Sequence, residues 1–272
     1  MAYVPIIAQI ESLPPLPESV LQIEKLFAQG DPEIQELVKI IESDPPLTTD
    51  ILAKANSPFY GFTRKIVSVL QATTLFGPTQ IRSIVLAASI QRSFDINLEP
   101  YNISTSLFSQ ISAMQSDFLF QWYMGINIDL AKEIVPIAFL MEIGKILISK
   151  EIREEEKTEE FLEDLYTYQD IEYTENKFVH MTTAQINALI FEHLNLNEVF
   201  YEVMRYLDSD KEPPKELEEQ VRALRVTQAA INVLDQLNEN SIEKALELIE
   251  EYGYSKEHFL RVVTRITNKY LS

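Results

Sequence analysis

Apolar residues in this chain recur at helical spacing almost from end to end, and little else is available to build with. Leu16, Val20, Ile23 and Phe27 step by four, three and four, which lays one apolar stripe along a helix. Ile34, Leu37, Val38 and Ile41 repeat the pattern, with Asp31-Pro32-Glu33 read as its cap. Only 6 glycines occur in 272 residues, too few for a turn-rich β architecture or a Gly-rich phosphate loop. A chain of this length buries roughly 75% of its unfolded surface. The sequence therefore predicts an all-α protein.

Prolines and polar clusters punctuate the pattern. Pro14, Pro15 and Pro17 precede the first stripe, and Gly30 closes it. Ser43-Asp44-Pro45-Pro46 stops the second helix, and a third follows from about Leu47 to Ala55. Ser68 caps a short helix ending at Gly77, and Pro78 opens another with Ile81, Ile84, Val85 and Ala88 on one face. That pair has the outline of a helix-turn-helix, but its second helix offers only Arg82 and Arg92 among aliphatics and reads as core. Helices are expected from about Ile103 to Met124, Leu130 to Lys150, Thr182 to Leu194 and Glu198 to Leu207. Ser209 to Glu216, rich in charge and proline, is the expected internal boundary. Beyond it a helix from about Leu217 to Leu237 is expected to dock on the core, followed by helices capped by Ser241 and Ser255.

Composition closes several functional classes. Without cysteine there are no disulfides, zinc–thiolate sites or iron–sulfur clusters. The first residues lack a basic region and a long apolar run, and no apolar stretch approaches a bilayer span, so a cytoplasmic protein without membrane insertion is expected. The net charge of −19 argues against wholesale binding to nucleic acid. Charge is nevertheless segregated. Ile51 to Phe94 contains no acid, while Lys54, Arg64, Lys65, Arg82 and Arg92 give it +5, leaving −24 for the rest. Within it, Phe59, Tyr60, Phe62, Arg64, Lys65 and Arg82 are the candidate partner-binding residues, facing an acidic or phosphorylated signalling protein. The competing reading is that the aromatics plug the helical core.

Taken in order, Leu13-Pro14-Pro15-Leu16-Pro17, Ile40 to Leu47 (IIESDPPL), Ile51 to Gly61 (ILAKANSPFYG), and Leu70-Gln71-Ala72 with Leu75-Phe76-Gly77 resemble the HDOD family, output domains related to HD phosphohydrolases. The resemblance covers about residues 12–208, an HD-like helical bundle with an N-terminal helical subdomain, and leaves 209–272 as a C-terminal helical extension. It implies a bacterial signal-transduction protein acting through protein–protein contacts without catalysis. Where a metal-dependent relative reads His-Asp-Ile-Gly-Lys, this chain reads Met141-Glu142-Ile143-Gly144-Lys145. By the same resemblance Gln110 stands for a histidine, and Leu207-Asp208 for a later ligand position. Gln110, Met141, Glu142, Leu207 and Asp208 are thus the degenerate ligand positions, and no cofactor or metal is expected. His180, His193 and His258 have no histidine at i+3 or i+4 to share a helix face. Glu142 with Asp117 as a weak cation pair is a minor alternative. A cryptic phosphohydrolase or nucleotide-binding protein is the alternative function, and a nucleic-acid regulator a more distant one.

Overall fold

The computed structural model describes residues 3–57 and 64–271. Among them α-helices carry the architecture, and the sole strand-like feature is an isolated antiparallel bridge between Ile231 and Gln236. The chain divides into two compact units, residues 14–94 and residues 1–13 with 95–272.

The smaller unit holds α2 (Glu18–Ala28), α3 (Ile34–Glu42), α4 (Pro45–Ala55), α5 (Val69–Phe76) and α6 (Pro78–Gln91). The first stripe buries Val20 and Ile23, and the second buries Leu37, Val38 and Ile41. Asp44 caps α4 by accepting from Leu47 N at 2.9 Å, and Ser19 Oγ donates to the same carboxylate at 2.6 Å. Such a cap contributes about 1 kcal/mol. Ser68 caps α5 through Gln71 N. Gly77 lies at φ +80°, where glycine carries no Cβ penalty, and lets α6 start at once on Pro78. Ile81, Ile84, Val85 and Ala88 of α6 are buried, so this helix serves as core. Glu33 is the N-cap of α3, and its carboxylate makes no cap bond.

The larger unit begins with α1 (Tyr3–Glu11), a helix the periodicity analysis passes over, and a 3-10 turn at Glu99–Tyr101. Then come α7 (Thr105–Tyr123), α8 (Ile128–Leu140), α9 (Gly144–Glu154), α10 (Thr158–Tyr168), α11 (Ile171–Val179), α12 (Thr183–His193) and α13 (Glu198–Leu207). The last three are α14 (Glu218–Ala230), α15 (Glu239–Glu251) and α16 (Lys256–Tyr270). Phe118 and Trp122 of α7 meet Phe259 of α16 with ring centroids 5.7 and 6.2 Å apart.

Three expectations need correction. The helix expected from Leu130 to Lys150 breaks at Met141–Ile143. Asn187 of α12 holds the break, accepting from Gly144 N at 2.7 Å and donating to the Met141 carbonyl. The helix expected to reach Leu237 stops at Ala230, because Asn232 Oδ1 accepts from Leu234 N and Asp235 N and folds the next residues into a turn. Asn238, not Ser241, caps α15, and it does so through Ser241 N. Residues 209–272 share a compact unit with 95–208. Val221, Leu224 and Ile231 in that stretch are fully buried.

Candidate functional site

The break after α8 aims Glu142 and Lys145 inward, where α9, α11, α12 and the Glu99–Tyr101 turn meet. Lys145 is buried, with its side chain 3% exposed. Its Nζ lies 2.9 Å from Glu142 Oε2 and 3.2 Å from Glu175 Oε1, and donates to Thr183 Oγ1 at 3.0 Å. Glu142 Oε2 meets the ammonium as an ion pair without an aligned hydrogen bond. Its other oxygen accepts from Gln115 Nε2 at 2.6 Å, and the same amide reaches the Ile231 carbonyl at 2.9 Å.

Glu175 is held as firmly. Its carboxylate accepts from Thr183 N at 2.6 Å and Thr183 Oγ1 at 2.7 Å, which seats it on the positive N-terminus of α12. Tyr101 Oη donates to it at 2.8 Å. Burial, then the Glu175 charge, pushes the Tyr101 phenol well above its ordinary range, so the phenol stays a donor. Burial pulls the Lys145 ammonium down, but Glu142 and Glu175 outweigh it and the net shift is upward. Two buried carboxylates and one buried cation thus form a closed ionic set.

This donor set does not fit a resident metal ion. The inner lone pairs of Glu142 and Glu175 are directed at Lys145, Gln115, Tyr101 and Thr183. Met141 is buried, and Leu207 offers no donor. Among the described residues no group of three or more His, Cys, Asp or Glu converges as metal ligands.

Glu142 and Lys145 also form part of the wall of a cavity of about 730 Å³ that reaches Leu207 and Asp208. Of the residues singled out from sequence, Glu142, Leu207 and Asp208 therefore line one cavity, and Met141 does not. Gln110 is not among them: its amide donates to the Tyr270 carbonyl at 3.1 Å, and Gln115, five residues on, is the glutamine that meets Glu142. Asp117 turns elsewhere too, to Lys269 Nζ at 2.7 Å and Tyr270 Oη at 3.0 Å. The sequence reading missed Lys145, Glu175, Tyr101 and Thr183. Only Lys145 carried a signal, its i+3 spacing from Glu142.

Of the partner-binding candidates, Phe59, Tyr60 and Phe62 lie outside the described residues. Arg64 and Lys65 are exposed. Arg82 does not join them. Its guanidinium grips Glu24 through two bonds, at 2.8 and 2.6 Å, and stacks 5.0 Å over the Phe27 ring. Arg92 pairs with Asp50 at 2.6 Å, and Lys54 reaches Gln91. Acids outside the acid-free segment thus neutralise two of its five cations.

A family model described as HDOD domain matches residues 13–209. Among solved structures, a virulence factor from Campylobacter jejuni subsp. jejuni is 25% identical with a TM-score of 0.61, over 100% of this chain and 97% of that one. A "Putative phosphohydrolase" from Shewanella amazonensis SB2B superimposes at TM-score 0.69 with 12% identity, over 98% and 94%. A "Putative signal transduction protein" from Marinobacter aquaeolei VT8 does so at 0.70 with 18% identity, over 95% of this chain and 58% of that one. A curated relative, an uncharacterized protein of Treponema pallidum (strain Nichols), is 24% identical over 84 residues, so the chain spans only 16% of that protein. No helix among the described residues is long and apolar enough to cross a membrane.

Proposed function

Because this chain belongs to the HDOD domain family, we propose that it is a regulatory protein that acts in the cytoplasm by binding other proteins and performs no hydrolysis. The observation that carries this reading is the Lys145 ammonium, seated between Glu142 and Glu175. HD-type hydrolysis needs a metal ion to lower the pKa of a bound water. Here Glu142, at a degenerate ligand position, is paired instead with a side-chain cation. The signal-transduction name borne by one structural neighbour supports a regulatory role, and the phosphohydrolase name borne by another supports the alternative. The latter likeness, at 12% identity, speaks to fold.

The partner surface in this reading is the exposed pair Arg64 and Lys65, the cations of the acid-free segment that remain open beside an otherwise acidic chain. Two measurements test the proposal. Incubation with cyclic dinucleotides and with phosphomonoesters in manganese should give no turnover. Turnover abolished by Glu142→Ala and retained in a surface variant would establish the hydrolase reading instead. A photo-crosslinker at position 67, exposed close to that pair, used in the native cell, should capture one defined protein. Arg64→Glu with Lys65→Glu should lose that capture at an unchanged melting temperature. Undiminished capture by the double variant would remove this surface from the proposal.

A further inference from the structure

The cavity beside the Glu142–Lys145 pair has carboxylates that the closed set does not use. Asp208, at the C-cap of α13, has both carboxylate oxygens shut off from solvent and without a hydrogen-bond partner. Thr182 and Gln228 lie near its carboxyl without forming an aligned bond. A buried carboxylate in that condition costs several kcal/mol unless it is protonated or meets a cation. Glu172 of α11 stands close enough to repel it and also lines the cavity.

Four chain cations line the cavity, and two of them, Lys145 and Arg225, are already committed, while Lys211 and Lys244 stand on its wall. Lys145 serves Glu142 and Glu175. Arg225, which also lines the cavity, spends its guanidinium on the carbonyls of Tyr206, Leu207 and Ser209. Those bonds leave its charge directed at backbone rather than at Asp208.

We propose that this cavity is a binding site for a small organic cation carrying amine or guanidinium groups, with Asp208 and Glu172 as its counter-charges. Three features set the class. Eight carboxylates line the space against four chain cations, so the balance of charge there is negative. The acids do not converge as a metal cage among the described residues, so the fit is to an extended cation with separated donors. A volume of about 730 Å³ is that of an organic ligand rather than a hydrated ion. Tyr168 and Tyr252 also line the space and supply aromatic surface for an alkyl stem or a cation face. Each already carries a chain cation, Lys177 at 5.6 Å and Arg222 at 5.1 Å from the ring centre. This site is separate from the Arg64–Lys65 surface, so either assignment can fail alone.

The test is calorimetric titration of the intact chain with spermidine at 150 mM salt, since a chain of net charge −19 attracts any polyamine weakly. One saturable site per chain is expected, weakened at least tenfold by Asp208→Asn with Glu172→Gln. Glu159→Gln with Glu160→Gln, on α10 and away from the cavity lining, should leave affinity within twofold. Circular dichroism of each variant confirms that the fold persists, and Asp208→Asn alone serves if the double variant does not fold. Three results would overturn the proposal: no saturable heat, equal weakening by both variant pairs, or magnesium competing at concentrations equivalent to spermidine. The last two identify a diffuse counter-ion effect.

Discussion

Lys145 is the residue on which the buried polar set turns. Removing it leaves two carboxylates in the interior with no cation, and breaking a buried pair from one side costs about 3–5 kcal/mol. Lys145→Met should therefore lower the unfolding free energy from urea melts by that amount, and adding Glu142→Gln should recover part of it. A loss below about 1 kcal/mol in Lys145→Met would show that the ion pairs contribute little. Glu172 gives a second prediction, concerning pH. Desolvation of the carboxyl, then Asp208 and Glu175, push it up to about 7, although the residue as a whole is exposed. A carboxyl raised in the folded state binds a proton there that the unfolded chain has released. Stability then falls as pH rises from about 4.5 to about 7. Glu172→Gln should flatten that slope and raise the melting temperature at pH 8 while leaving it unchanged at pH 4. Asp208, whose carboxyl burial also raises, accounts for any slope that remains. A slope unaltered by Glu172→Gln would assign the titration elsewhere.

At the scale of elements, the break between α8 and α9 builds the site, and it is a tertiary feature. A Cβ on Gly144 would lie 2.7 Å from the Thr183 carbonyl and 3.1 Å from Asn187 Oδ1. Gly144→Ala should cost about 1–3 kcal/mol through forced separation of α9 from α12. Asn187→Ala should cost a similar amount by orphaning Gly144 N and the Met141 carbonyl. Denaturant midpoints measure both, and a neutral Gly144→Ala would mean that α12 yields at no cost. The local sequence hides this break. Ile134 to Leu140 and Ile146 to Ile148 keep a continuous apolar rhythm, so the periodicity reads one helix. The partner that interrupts it lies over forty residues away. Caps made within three residues were legible, as at Ser68 and Ser255, because donor and acceptor are neighbours in the chain. The Lys145–Glu175 pair spans thirty residues and left no local trace. Glu142 was legible because it stands inside a recognisable motif.

At the scale of the molecule, the matched family region ends at residue 209, but the folding unit does not. Val221, Leu224 and Val226 of α14 and Phe259 of α16 are fully buried. Tyr123 of α7 donates to Glu219 Oε1 of α14 at 2.7 Å and meets the Tyr254 hydroxyl at 3.0 Å. Burial first, then those two neighbours, raise the Tyr123 phenol, which keeps it a donor. A chain cut after Leu207 should therefore lose cooperative thermal unfolding and elute as aggregate, because the covered faces of α7 and α8 open to water. A sharp melt and monomeric elution for the truncated chain would show that residues 208–272 are dispensable.

The ammonium between Glu142 and Glu175 is tethered to the backbone by four methylenes. It therefore has no dissociation constant, no supply chain and no competitor. A metalloprotein's folded fraction varies with what its surroundings deliver, while this centre is complete when translation ends. Chelators should leave its melting curve in place, and so should starvation of the cell for iron or manganese. Such a scaffold can report on a signal without also reporting on the metal economy of the cell.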